Sequence, residues 1–238
     1  MELTAEELAL RRGKFCLRMN EKYESWDSAL FVSKVNQYYL TGTMQDALLI
    51  IRKDGSYSYH IRKSFERASK ESLLTNIFPM RTYRDAAQNG GKELGNVYIE
   101  SDIIPFTVTE RLKKYFDIKS VGAMDQVIMH IRSIKSPYEL YWMEQSGKIH
   151  DKLLTEIIPG ILKEGMSEAE FYGAVYEKMM QNGYQGISRF SAFQTELPFG
   201  QIGFGETTLF PSSFNGPSGG LGMSPAVPVG GNPNVKLK

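Results

Sequence analysis

Among the side chains that could take part in catalysis or metal binding, this chain has only three histidines. His60 lies in a predicted hairpin, His130 in a predicted short helix and His150 on a later predicted helix. None has a second metal ligand at i+3 or i+4, and the neighbours His150 and Asp151 point about 100° apart on a helix. A solvated or interface histidine is therefore favoured over a metal ligand at all three positions.

Acidic residues add few further candidates for metal ligands. Residues 152–238 contain no Asp and no His, although metal-assisted hydrolysis needs carboxylates, usually with an imidazole, on a rigid frame. Glu168 and Glu170 follow Ser167, a pattern that suits the first turn of a helix better than a catalytic acid and base. The sequence therefore predicts no catalytic, cofactor-binding or metal-ligating residue.

Other candidate motifs are also better explained by structure than by chemistry. The glycine-rich stretches 203–205 and 216–220 lack the Lys-Ser/Thr and the following helix of a phosphate-binding loop. No GxSxG motif occurs, so a serine hydrolase is unsupported. Cys16 is predicted to be a buried structural thiol. Arg11, Arg12 and Lys14 have acids before and after them, which predicts a solvated face.

Composition and charge exclude several classes of protein. The 238 residues carry 28 Lys and Arg against 27 Asp and Glu, so no strong field attracts nucleic acid or an anionic membrane. The acidic, amphipathic start and the single cysteine argue against a secretory signal and an internal disulfide. The long uncharged run 207–235 is interrupted by Pro and Gly, so no membrane span is expected. These features predict a cytoplasmic protein.

The pattern along residues 4–121 predicts an α/β domain with a mixed sheet. Thr4 and Glu7 predict a capping box at the start of the first helix, which should run to about residue 23. The clearest hairpin joins 47–51 to 56–61 through the turn Asp54-Gly55. Further elements are predicted as strands at 29–32, 38–40, 96–100 and 118–121, and as helices at 64–74 and 107–116.

Two helices with marked caps follow. Ser136, Pro137 and Glu139 predict a helix that runs to residue 158 and ends at Pro159-Gly160. Ser167 and Glu170 form a similar capping pattern and predict a second helix that stops near residue 183. From residue 198 onward, six of the ten prolines and nine of the 22 glycines predict that regular structure becomes sparse.

Three stretches in this order carry a family resemblance: VNQYYLTGT at 35–43, IRSIKSPYEL at 131–140 and GMSEAE at 165–170. Together they resemble the creatinase, prolidase and aminopeptidase P group of pita-bread proteins. The resemblance implies a creatinase-like N-terminal domain at residues 1–132, with a mixed sheet and flanking helices. It also implies an incomplete start of a pita-bread (α+β) catalytic domain at residues 133–238.

The activity implied by this resemblance is metal-dependent peptide hydrolysis next to proline, by an Xaa-Pro aminopeptidase or dipeptidase. In the family, two divalent ions such as manganese are held by two Asp, one His and two Glu, all beyond the matched region. A substrate-contacting His usually precedes the first Asp, but residues 222–228 contain none. None of these ligands is carried over to this chain, which is expected to hold no cofactor and to be inactive alone.

Two functions remain open on this basis. The first is the N-terminal part of an Xaa-Pro peptidase that acts on proline-containing peptides, with a homodimer as one open arrangement because family members are often dimers. The alternative is a non-catalytic pita-bread binding or assembly module. Ligands encoded after residue 238 would decide between the two.

Overall fold

The structure, a computed structural model of the chain, describes residues 1–190, 196–212 and 219–238. It divides into two compact units, Met1–Tyr141 and Trp142–Lys238. The boundary predicted between residues 132 and 133 stays a prediction. Within the described residues, no helix combines the length and the apolar character needed to cross a membrane.

The first unit alternates strands and helices. Its strands are β1 (Ser28–Phe31), β2 (Ala47–Arg52), β3 (Tyr57–Ile61), β4 (Ile77–Pro79), β5 (Glu93–Ile99) and β6 (Asp117–Ala123). Its helices are α1 (Ala5–Lys22), α2 (Lys34–Thr41), α3 (Phe65–Glu71), α4 (Tyr83–Gly90), α5 (Phe106–Tyr115) and α6 (Asp125–Ser133). The start of α7 (Pro137–Lys152) also belongs to this unit.

The six strands form one mixed sheet in the order β4-β3-β2-β1-β5-β6. The β1–β2 and β2–β3 pairs are antiparallel, and the β1–β5, β3–β4 and β5–β6 pairs are parallel. The predicted α/β class with a mixed sheet is confirmed. The predicted hairpin is confirmed as well, with Ala47 opposite Ile61 and Ile51 opposite Tyr57.

Helices cover both faces of this sheet, which explains the uninterrupted apolar run of β2. Leu49 and Ile51 pack with the apolar faces of α1, α2 and α6 on one side. Leu48 and Ile50 pack with those of α4 and α5 on the other. A central strand that is buried on both faces needs apolar residues at every position rather than at alternate ones.

One predicted strand is wrong. Residues 38–40 lie in α2, because Ser33 caps that helix by accepting a hydrogen bond from the Asn36 N–H (3.5 Å). Gly42 then ends the helix with a φ of 79°, a left-handed conformation that glycine adopts without steric cost. The aromatic and β-branched residues here favour a strand locally, but the caps decide the structure.

The second unit holds the rest of α7, a π-helical turn (Leu153–Ile157), α8 (Ile158–Ile161) and α9 (Glu168–Gln181). The short strands β7 (Ser188–Arg189) and β8 (Glu196–Leu197) form an antiparallel pair, and Gly205–Leu209 forms a 3-10 helix. The prediction that regular structure becomes sparse after residue 198 is confirmed for the described residues.

The predicted helix end at Pro159-Gly160 is wrong, because the helical path continues to Ile161. The π-helical turn immediately precedes Pro159. Pro159 is the second residue of α8 and lies directly after this π-helical turn. The wider π turn also changes the i to i+4 spacing that would otherwise set the proline ring against a carbonyl group.

Candidate functional site

None of the three histidines belongs to a group of three or more possible metal ligands in the described residues. His130 and His150 are exposed, as expected, and His130 lies beside Leu17 and Ile131 on a shallow groove of about 260 Å³. His60 differs from the expectation of a solvated or interface residue, because it is fully buried in β3.

His60 is held in an apolar setting inside the first unit. Its ring stacks on Phe78 with the centroids 5.5 Å apart, and its Nε2 atom lies 2.9 Å from the Ser58 hydroxyl oxygen. Its Nδ1 atom has no hydrogen-bond partner within the part of the chain that the structure describes. Burial lowers the pKa of His60 to about 4, because the charged ring would lose its hydration.

Acidification should therefore destabilise the first unit between pH 6.5 and pH 4. The unfolded chain binds a proton at His60 below pH 6.5, whereas the folded chain resists it until about pH 4. At 1.36 kcal/mol per pKa unit, the loss should reach about 3 kcal/mol. Urea unfolding followed by the fluorescence of the buried Trp26, in a Trp142→Phe background, measures it.

His60→Gln should remove this pH dependence, and His130→Gln, at an exposed position, should leave it unchanged. Burial raises the pKa of Glu100, so that residue acts in the opposite sense and the difference between wild type and variant isolates His60. Equal pH dependence in wild type and His60→Gln would contradict the assignment.

The most deeply buried acid of the first unit is Glu100, at the carboxyl end of β5. Its Oε2 atom accepts hydrogen bonds from the backbone N–H groups of Val32 (2.7 Å) and Ser33 (2.8 Å), and its Oε1 atom accepts one from Asn36 Nδ2 (2.6 Å). Burial raises the pKa of Glu100, and these hydrogen bonds oppose that shift. Arg132 Nη1 donates to Asn36 Oδ1 (2.9 Å), which extends the network to α6.

Sequence reasoning missed Glu100 as a buried anchor. The available signal is a carboxylate that directly follows the apolar strand segment Val-Tyr-Ile and precedes a turn. A carboxylate near the N-terminus of a helix stabilises that helix. Glu100 does this for α2, although it comes from a distant part of the chain. It holds α2 against the carboxyl ends of β1 and β5, the edge where open α/β sheets usually bind ligands.

Arg11 and Arg12 do not form the predicted solvated face, because both are buried. Arg11 Nε donates to Glu7 Oε1 (2.8 Å) and its Nη1 donates to the Tyr39 carbonyl (3.0 Å). Arg12 Nη1 donates to the Leu40 carbonyl (3.0 Å). Both arginines therefore satisfy backbone carbonyls of α2, which compensates for the cost of burying their charge.

Arg11 and its partner Glu7 also contact the first turn of α7. Ser136 Oγ donates to Glu7 Oε1 (2.7 Å), and Arg11 Nη2 lies 3.9 Å from Glu139 Oε1. The predicted capping box is confirmed, since Ser136 N–H donates to Glu139 Oε2 (2.9 Å) and Glu139 N–H donates to Ser136 Oγ (3.3 Å). Glu7 forms these contacts rather than the predicted return bond to Thr4, although Thr4 does cap α1.

In the second unit, Glu168 lies in the first turn of α9, as predicted, but it also makes contacts with distant loops. This fully buried carboxylate accepts from the N–H of Phe204 (2.7 Å) and the hydroxyl of Thr207 (2.5 Å) at Oε1, and from the N–H of Asn232 (2.9 Å) at Oε2. It thereby joins α9 to two distant loops. Glu170 fills the predicted capping role with Ser167.

Parts of both glycine-rich stretches are described, and the first of them contacts Glu168. In the first, Phe204 N–H is already bonded to Glu168, so that donor does not form part of a phosphate cradle. In the second, residues 216–218 lie outside the described residues, whereas Gly219 and Gly220 donate N–H bonds to the Thr208 and Phe210 carbonyls. Gly205 begins the 3-10 helix Gly205–Leu209, so the prediction of a plain loop is wrong at that residue.

Cys16 is half-buried in α1. Burial raises the pKa of its thiol to about 11, which leaves it protonated near neutral pH. This environment agrees with the predicted structural thiol.

In residues 1–190, 196–212 and 219–238, no group of three or more His, Cys, Asp or Glu side chains could hold a metal ion. The described residues do not fit the pair of divalent ions that the family resemblance implies. The prediction that the chain carries no catalytic or metal-ligating residue stays a prediction.

The first unit is therefore a mixed α/β domain with a six-stranded sheet. Its helix α6 leads into α7, and Glu7 and Arg11 of α1 contact the capped first turn of α7. Residues 11–134 match the family model described as the Creatinase/Prolidase N-terminal domain. That match covers half of the chain, so the chain belongs to the creatinase/prolidase N-terminal domain family.

Individual relatives agree with this assignment. The chain is 32% identical over 181 residues to an Xaa-Pro dipeptidase of Pyrococcus horikoshii, covering 69% of this chain and 49% of that one. The prolidase structure from the same organism gives a TM-score of 0.64 at 25% identity, covering 74% and 50%. The fold of an Xaa-Pro dipeptidase from Bacillus anthracis gives a TM-score of 0.66 at 17% identity, covering 76% and 51%.

The chain spans about half the length of the curated relatives it matches. The similarity to the Pyrococcus dipeptidase covers more of the chain than residues 11–134 can supply. It therefore reaches beyond the N-terminal domain.

Proposed function

We propose that this chain serves an Xaa-Pro peptidase of the creatinase/prolidase family, as its N-terminal domain and the first part of the domain that follows. The observation that carries the proposal is the similarity to an Xaa-Pro dipeptidase, which is 32% identical over 181 residues. Proline-containing peptides are the proposed substrates, and two divalent ions of the manganese type are the proposed cofactor of the complete enzyme.

We further propose that the described residues support the catalytic site without performing the chemistry. A hydrolase of this type needs ligands that hold a metal, lower the pKa of a bound water molecule and place an acid or base beside it. The buried carboxylates Glu100 and Glu168 are both occupied by donors from the protein itself. Neither is available as a ligand without losing those contacts.

The purified 238-residue chain should therefore not hydrolyse a Leu-Pro dipeptide in the presence of Mn²⁺. Release of proline, followed by chromatography with and without a chelator, measures this. A commercial prolidase assayed in the same buffer is the positive control. Hydrolysis by the chain alone that a chelator abolishes would contradict the proposal that the catalytic residues lie elsewhere.

Sequencing the source DNA across the codon for Lys238 tests the family function independently. A frame that continues into two Asp, one His and two Glu supports the peptidase, and joining that segment to the chain should create activity. A stop codon directly after Lys238 would instead favour the non-catalytic binding or assembly module. A cytoplasmic location also remains a proposal, supported by the single cysteine, which suits a reducing compartment.

A further inference from the structure

Helices α1 and α6 of the first unit run antiparallel and leave a groove between them. Lys22 Nζ donates to Gln126 Oε1 (2.7 Å) near one end of the pair. Ser136 Oγ donates to Glu7 Oε1 (2.7 Å) near the other end. The C-terminal end of α1 therefore lies beside the start of α6, and its N-terminal end lies beside the residues that follow α6. Between these two hydrogen bonds, the groove has a volume of about 260 Å³.

The centre of this groove is apolar. Leu17 of α1 lines it, together with Ile131 and Ile134 at the end of α6. Ile131 is buried, whereas the side chains of Leu17 and Ile134 are 61% and 59% exposed. An apolar group of a ligand placed here would remove aliphatic surface from water, which favours binding.

The charged groups of the groove select the charge of the ligand. Glu21 is the one acid among the described residues that line it, and its Oε2 atom is already paired with Arg18 Nη1 (2.7 Å). The side chains of Lys14 and His130 have no hydrogen-bond or ion-pair partner within the part of the chain that the structure describes. Lys14 is half-buried and lies on the same face of α1 as Leu17, at i and i+3. The groove therefore favours an anion, and a cation finds no unpaired acid in it.

Size narrows the class of ligand further. A volume of about 260 Å³ is that of about nine water molecules, at about 30 Å³ each in the liquid. It lies below the range of sites for drug-sized ligands, which begins at about 300 Å³. A ligand of about ten non-hydrogen atoms fills this space, whereas a nucleotide or a peptide helix exceeds it.

We propose that the groove between α1 and α6 binds a small carboxylate with an apolar tail. The carboxylate lies at the ammonium group of Lys14, and the ring of His130 supplies a second donor. The tail lies against Leu17, Ile131 and Ile134. This function goes beyond peptide hydrolysis, because it concerns ligand binding by the N-terminal domain. Octanoate, a carboxylate of the required size, serves as the probe.

Titration of the isotope-labelled full chain with octanoate, followed by NMR, tests the proposal. The amide signals of Leu17, His130 and Ile134 should shift along a saturating curve, with a dissociation constant of about 1 mM for a ligand of this size. Octyltrimethylammonium has the same tail and the opposite charge, and it should bind about tenfold more weakly. Equal binding of the two compounds, or shifts confined to other surfaces, would overturn the proposal.

A matched pair of charge reversals tests the position of the carboxylate. Lys14→Glu should raise the dissociation constant of octanoate about tenfold, because two carboxylates then repel each other. The new side chain is spaced i to i+4 from Arg18, which suits a helical ion pair, so the variant should stay folded. Lys63→Glu makes the same change in net charge at an exposed position before α3, and should change the constant by less than about twofold. Equal weakening by both would show that net charge attracts octanoate, and would overturn the site.

Two leucines of α1 test the position of the tail in the same way. Leu17→Ser removes an exposed part of the apolar wall and should raise the dissociation constant about fivefold. Leu10→Ser alters an exposed leucine of the same helix that does not line the groove, and should change the constant by less than about twofold. An equal effect of the two substitutions would place the tail elsewhere and contradict the proposal.

Discussion

Replacing Glu100 by alanine is expected to destabilise the first unit by about 3–5 kcal/mol. The substitution leaves the N–H groups of Val32 and Ser33 and the amide of Asn36 without their acceptor. Removing one side of a buried hydrogen-bonded network costs more than the bonds contribute, because the remaining groups stay desolvated. Urea unfolding followed by Trp26 fluorescence, in a Trp142→Phe background, measures the change.

Glu93→Ala is the control for this prediction, since Glu93 is an exposed residue of the same strand. Its effect should stay within about 0.5 kcal/mol. Glu100→Gln should fall between the two, because an amide keeps one acceptor oxygen but presents donor hydrogens to the donors around it. A loss below about 1 kcal/mol for Glu100→Ala would show that the network does not anchor α2.

Replacing Glu168 by glutamine is expected to release the loop contacts of the second unit. The carboxylate accepts at both oxygen atoms, from Phe204 and Thr207 at one and from Asn232 at the other. A glutamine amide must turn its NH₂ group towards one set of donors and leaves them unpaired. At a cost of about 2–3 kcal/mol, amide exchange at Phe204 or Asn232 should accelerate about 100-fold.

Hydrogen exchange read by mass spectrometry over peptides around residues 204 and 232 tests this. Glu177→Gln, at an exposed position of the same helix, should change exchange there less than threefold. Exchange in β1, β2 and β5 should not change in either variant, because those strands belong to the first unit. Equal acceleration by both substitutions would show that Glu168 is not the specific anchor.

The elements that could be predicted from sequence are those with local causes. Thr4, Ser136 and Ser167 cap helices where their sequence patterns place them. The hairpin follows from a turn dipeptide between two apolar runs. The strand wrongly predicted at residues 38–40 shows the limit of such reasoning, because aromatic residues favour a strand while Ser33 and Gly42 enclose a helix.

The candidate site was less accessible to sequence reasoning. The basic cluster around Arg11 looks like a solvated face until the structure shows that its guanidinium groups bond to carbonyls 28 residues away. His60 likewise looks like an ordinary hairpin residue until Phe78 and the sheet enclose it. Burial of a charged or polar residue depends on what the rest of the chain places over it, and one sequence does not reveal that cover.

The sequence by itself determined the α/β class, the capped helices, the apolar strands and, through the order of three motifs, the family resemblance. These depend on caps, turns and periodicity, which act over a few residues. Only the tertiary structure decided which carboxylates are buried, since Glu100 bonds to Asn36 across 64 residues and Glu168 to Asn232 across another 64. Contacts between such distant residues follow from the packing of the whole domain, which no local pattern encodes.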